Sequence, residues 1–134
     1  MSAATFLKTI ALWLLLAVLA TVNGILRETA LIPASGTPAG LMLSGFTLSV
    51  AILLVSWLAL PWYGLLSPSQ YWRIGLVWLL MTILFEFGLG YLIARKSWAE
   101  LLDAYDIATG NLWLVVLATT LVAPRLSARL RKYA

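Results

Sequence analysis

Residues 74–94 read IGLVWLLMTILFEFGLGYLIA: twenty-one positions with a single charged side chain, Glu86. A bilayer core about 30 Å thick needs roughly 20 helical residues, so this stretch is long enough to span it. A carboxyl near the middle of such a span is costly unless it is neutral, paired or facing water. The stretch therefore predicts both a membrane helix and a place where that helix cannot simply face lipid.

Three more stretches share its character. Residues 7–26 carry a single charge, Lys8, residues 40–60 carry none, and residues 107–126 form a fourth span with Pro124 near its end. The first reads as a retained span. Its apolar run is longer than a signal-peptide core of about 7–15 residues, and no small-x-small cleavage site precedes Asn23-Gly24. The chain is 63% hydrophobic and 10% charged, whereas a soluble domain carries about 25% charged residues. The expected fold is all-α: an integral membrane four-helix bundle over residues 1–134, forming a single membrane domain.

Local signals set the boundaries. Pro33, Gly36, Pro38 and Gly40 make a turn-rich first loop, and Pro61 follows the second span. Ser67-Pro68-Ser69-Gln70 predicts a helix start, with Ser67 as N-cap, Pro68 in the first turn and Gln70 closing a capping box. Ser97-Trp98-Ala99-Glu100 repeats that pattern. It opens a short amphipathic helix over about 98–108, with Trp98, Leu101, Leu102 and Tyr105 on one face. This helix is expected to lie on the membrane surface between spans 3 and 4.

Basic residues set the orientation. Lys8, Arg73, Arg125, Arg129, Arg131 and Lys132 fall on the side of the termini and the second loop. Arg27, Arg95 and Lys96 fall on the other. Six against three predicts both termini in the cytoplasm, in a bacterial inner membrane. Trp62, Tyr63, Tyr71, Trp72, Tyr91 and Trp98 sit near the boundaries, as an aromatic belt requires. The basic tail, residues 125–134, reads as a helix on the anionic inner leaflet, held by Arg125, Arg129, Arg131 and Lys132. A pI near 9.8 follows from that tail and the loop bias and implies no nucleic-acid partner.

Composition removes whole classes of chemistry. The chain has no Cys and no His. Disulfides, thiol catalysis, a Ser-His-Asp triad, His or Cys zinc sites and His-ligated haem are therefore excluded. No nucleotide-binding or nucleophile-elbow motif occurs, and no cofactor is expected. The small multidrug transporters also have four spans and one membrane carboxylate, but theirs lies in the first span and Glu86 lies in the third. The two share size and hydropathy, and no residue carries over.

The candidate ion- or substrate-binding residues are Glu86, Arg27, Asn23, Thr82 and Asn111. Asn23 and Arg27 are four apart on one face, and Arg27 leans back into the membrane toward Glu86. A buried Arg27–Glu86 ion pair would fix helix register; alternatively Glu86 would bind a cation or proton. Glu28, beside Arg27 in sequence, competes for the same guanidinium. Trp78, Thr82, Glu86 and Gly90 make one stripe of span 3. In span 2, Gly45, Ser49, Ile52 and Ser56 make another, with Ser44 beside it, and small residues of this kind serve close packing. Asp103 and Asp106 have a spacing that can share a divalent cation, though a solvated acidic face has the same spacing.

Three functions fit. The first is a small oligomeric transporter or channel-like protein using Glu86. The second is an accessory or assembly subunit docked to a larger membrane complex. The third, least favoured, is a membrane-embedded enzyme acting on lipid; the chain is not expected to be an enzyme.

Overall fold

The computed structural model describes residues 1–93, 95, 97–99 and 112–133. These form helices, with no strand among them. Four are long and apolar enough to cross a membrane, which marks the chain as an integral membrane protein. They are α1 (Ala3–Leu26), α2 (Thr37–Tyr63), α3 (Pro68–Gly88) and α4 (Trp113–Leu130). The predicted surface helix at about 98–108 lies almost wholly outside the described residues. Within it, the ring of Trp98 packs on Phe87 and Tyr91, at 5.7 and 5.4 Å.

The first loop is not an open turn. After α1 the helix widens to a π-helical stretch, Arg27–Leu31, and then closes one α-turn, Ile32–Ser35. Gly36 alone breaks the chain, at φ 86°, a left-handed conformation that suits glycine; Pro38 then sits in the first turn of α2. A side chain at Gly40 would fall 2.6 Å from Ile32, so the hairpin is tight because that position has no Cβ. A second π-helical stretch, Leu89–Ile93, extends α3. The predicted capping box at the start of α3 is present: Gln70 N–H donates to Ser67 Oγ, and Ser67 N–H donates to Gln70 Oε1 at 3.1 Å.

The helices are arranged in the ring order α1–α2–α4–α3. The closest packing is of α4 on α2 and α3, and α1 completes the ring against α2 and α3. Glycine sets both contacts of α4. A Cβ at Gly75 would lie on the backbone carbonyl of Leu121, and one at Gly45 would overlap the Leu112 side chain. The small-residue stripe of α2 is buried as its spacing suggests: Ser44, Gly45, Ser49, Ile52 and Ser56 all face inward. Toward the end holding both termini the core closes completely around Leu60, Tyr71, Ile74, Trp78 and Ala123.

Polar side chains also stitch the bundle together. The Trp78 indole donates to the Thr9 carbonyl at 3.0 Å, and the Thr9 hydroxyl meets Tyr63 Oη at 2.9 Å. The Trp13 indole donates to Thr82 Oγ1 at 3.1 Å. A buried indole N–H needs a partner; the two indole bonds join α1 to α3, and the Thr9–Tyr63 contact joins α1 to α2.

α4 runs through the buried Pro124 to Leu130 and so takes in the first residues of the basic tail. Lys132 then turns left-handed at φ 61°, with Tyr133 N–H on the Ala128 carbonyl and Lys132 N–H on that of Arg129. This Schellman arrangement folds the last residues back onto the bundle. Arg131 Nε donates to the Trp57 carbonyl at 2.6 Å, and its guanidinium lies 3.8 Å from the centre of the Trp57 ring. Trp57 is four residues before Pro61, which has no N–H to offer it. Arg131 thus supplies the donor that Pro61 lacks. Lys8 Nζ donates to the Trp62 carbonyl at 2.9 Å. Two cations therefore cap the C-terminal end of α2, where the helix dipole favours positive charge.

Candidate functional site

Between the diagonal helices α1 and α4 lies a cavity of about 450 Å³. It exists because α1 turns small residues inward there. Ala17, Ala20 and Gly24 line it together with Gly45 and Ser44 of α2, so the two diagonal helices stand apart. Its volume falls within the range of small-molecule sites, about 300–1,000 Å³.

The cavity gathers most of the residues that the sequence singles out. Asn23, Arg27, Glu28, Thr82 and Glu86 all line it. Asn111 lies outside the described residues, as do Asp103 and Asp106. Among the described residues no group of three or more acidic side chains is placed to hold a metal.

The expected buried ion pair between Arg27 and Glu86 is not supported. Arg27 Nε lies 3.1 Å from Glu28 Oε1, with the two side chains 35% and 63% exposed. Pairing at the rim spares both charges the desolvation that a buried pair must overcome. The Arg27 guanidinium does fold back along α1: one of its nitrogens lies 3.6 Å from where a Gly24 Cβ would be. Glu86 is instead held by a residue that the sequence reading passed over. Trp113 Nε1 donates to Glu86 Oε2 at 2.7 Å. The available signal was the tryptophan itself, since an indole inside an apolar span must find an acceptor.

Asn23 and Thr82 are engaged in holding helices together. The Asn23 amide donates to the Ser44 carbonyl at 3.2 Å and to Thr47 Oγ1 at 3.0 Å, while Ser44 Oγ donates back to Asn23 Oδ1. These bonds lock α1 to α2 beside the cavity. Thr82 donates to the Trp78 carbonyl at 2.7 Å while accepting from Trp13. The remaining wall is aromatic or aliphatic. Phe85 meets Trp13 edge to face at 5.5 Å, and Leu16, Leu48, Ile52 and Val116 continue the lining away from the Arg27 end.

No protein-family model matches the chain, and neither a curated protein nor a solved structure resembles it significantly. The functional reading therefore rests on the geometry of this site.

Proposed function

We propose that this chain is a small membrane carrier that takes its ligand into the α1–α4 cavity, with Glu86 as the carboxylate that meets a cation or proton. One observation carries the reading: a carboxylate, a guanidinium and an amide line a single ligand-sized cavity inside an otherwise apolar bundle. An ionisable group at that depth is expensive, and it is retained most readily where it has work to do. The proposed setting is a bacterial inner membrane with both termini cytoplasmic, argued from the six-to-three division of basic residues. Arg129 and Lys132, both exposed, would then meet anionic headgroups, with Arg131 held by Trp57 instead.

The carboxylate role is tested in proteoliposomes carrying a pH-sensitive dye, an imposed proton gradient and a panel of organic cations. Wild type should dissipate the gradient on adding its substrate, and Glu86→Gln should lose at least tenfold in rate while still unfolding cooperatively. Equal rates in the two proteins would remove Glu86 from the mechanism. Orientation is tested with single cysteines, which the cysteine-free chain makes unambiguous. Ser35→Cys should react with an impermeant maleimide from outside intact cells, and Ser2→Cys only after permeabilisation. The reverse pattern would invert the topology.

A further inference from the structure

The end of the bundle that holds both termini carries charge of one sign. The five acids of the chain are Glu28, Glu86, Glu100, Asp103 and Asp106, so none belongs to α2, to the start of α3 or to α4. Six cations stand at that end: Lys8, Arg73, Arg125, Arg129, Arg131 and Lys132. Lys8 and Arg131 are engaged, on the carbonyls of Trp62 and Trp57. The side chains of Arg73, Arg125, Arg129 and Lys132 make no hydrogen bond or ion pair among the described residues. Arg125 stands out among these four. It is half-buried, and its Nη1 is fully buried with no partner. A buried donor on a charged group is costly when nothing accepts from it.

The packing of α4 on α3 places that arginine. Glu86 meets Trp113 and Gly75 meets Leu121, so the two helices run antiparallel. Arg125 lies four residues past Leu121, about 6 Å along the axis, which brings it level with Tyr71. Arg129, one turn further, comes level with Ser67, where α3 begins. Residues four apart share a helix face, so Leu121, Arg125 and Arg129 form one row along the α3 side of α4. The first turn of α3 holds no acid, and its dipole adds positive potential there. Arg73 is different. It sits two residues before Gly75, about 200° around the helix, and so faces away from α4.

We propose that this corner, where the end of α4 meets the start of α3, is a docking site for one anionic phospholipid, its phosphodiester held by Arg125 and Arg129. Guanidinium forks bind phosphate oxygens in pairs. A long basic side chain at the end of a span reaches out to the headgroup level, so Arg125 can turn its unpartnered nitrogen onto the phosphate. Two cations four apart repel each other, and an anion between them removes that repulsion. The bilayer is the source of the ligand, because the corner is walled by apolar surface. Trp72 and Leu76, one position on from Tyr71 and Gly75, are exposed and give an acyl chain a surface to lie on. This goes beyond a general attraction of the basic tail to a charged leaflet, since it names one headgroup and its anchor. It depends neither on the carrier reading nor on which compartment the termini face.

The test titrates the full chain, delipidated in dodecyl maltoside, with dioleoylphosphatidylglycerol, dioleoylphosphatidylcholine or inorganic phosphate, and counts bound molecules by native mass spectrometry. The first phosphatidylglycerol should bind at least tenfold more tightly than phosphatidylcholine. Arg125→Gln should lose at least tenfold of that affinity and Arg129→Gln at least threefold, while Arg73→Gln stays within twofold of wild type. Equal binding of the two lipids, or unchanged affinity in Arg125→Gln, would overturn the site. A loss in Arg73→Gln as large as in Arg125→Gln would replace it with diffuse attraction. Inorganic phosphate binding as tightly as phosphatidylglycerol would overturn the lipid as the source. A glutamate-rich peptide that binds more tightly than the lipid, with the same dependence on Arg125, would overturn it in favour of an acidic protein segment. If Arg125→Gln does not unfold cooperatively, Arg125→Lys, which keeps the charge and removes the fork, takes its place with an expected loss of at least threefold.

Discussion

The partners of Glu86 and Arg27 differ in kind: one is a sequence neighbour and the other lies on a different helix. Arg27 turns to its sequence neighbour Glu28, and Glu86 accepts from Trp113 across to α4. The indole supplies one hydrogen bond to that carboxyl. Trp113→Phe keeps most of the apolar volume and removes the donor. A hydrogen bond to a charged group contributes about 1.5–3 kcal/mol, so Trp113→Phe should lower stability by that order in reversible unfolding from mixed micelles. A variant as stable as wild type would show that the Trp113 bond does not hold Glu86. Part of this was legible in the sequence. The spacing pointed to a cluster of Asn23, Arg27 and Glu86, with Thr82 on the stripe of Glu86, and all four line the cavity. What spacing could not supply was which acceptor each donor reaches, because that depends on how helices distant in sequence are rotated against one another.

Among the elements, the end of α4 is the most instructive, since it takes in the first residues of the basic tail. Amphipathic spacing in residues 125–133 suits a surface helix, and the same spacing suits a helix end packed on α2. The deciding group is the Trp57 carbonyl, left without a donor by Pro61 and reached by Arg131. The two residues should therefore be coupled. Arg131→Gln should destabilise the protein, and Pro61→Ala, which restores a backbone N–H four residues after Trp57, should reduce that loss by about 1 kcal/mol. The double-mutant cycle measures it directly; additive effects would separate Arg131 from Pro61. The start of α3 was readable in advance, since Ser67, Pro68 and Gln70 act within one turn. The π-helical stretches at Arg27–Leu31 and Leu89–Ile93 were not, because their residues are ordinary helix formers and their geometry answers to neighbouring helices.

For the whole molecule, the decisive property is the ring order α1–α2–α4–α3. It puts α1 and α4 on a diagonal and leaves the cavity between them. Cysteine pairs report it without interference from native thiols. Asn23→Cys with Ser44→Cys, in side-chain contact on adjacent α1 and α2, should cross-link on mild oxidation, whereas Ala20→Cys with Val116→Cys, on opposite sides of the cavity, should not. Cross-linking of the second pair at the rate of the first would close the cavity and remove the site. Hydropathy decided by itself that four segments are membrane helices: a run of about 20 apolar residues must satisfy its own backbone hydrogen bonds in lipid, and a helix does so within the segment. Composition decided by itself that no thiol or imidazole takes part. The lateral order of the helices, the cavity and the partners of Glu86 and Arg27 were decided only in three dimensions. Every span looks alike to lipid, and glycine contacts such as Gly75 on Leu121 and Gly45 on Leu112 select which faces meet.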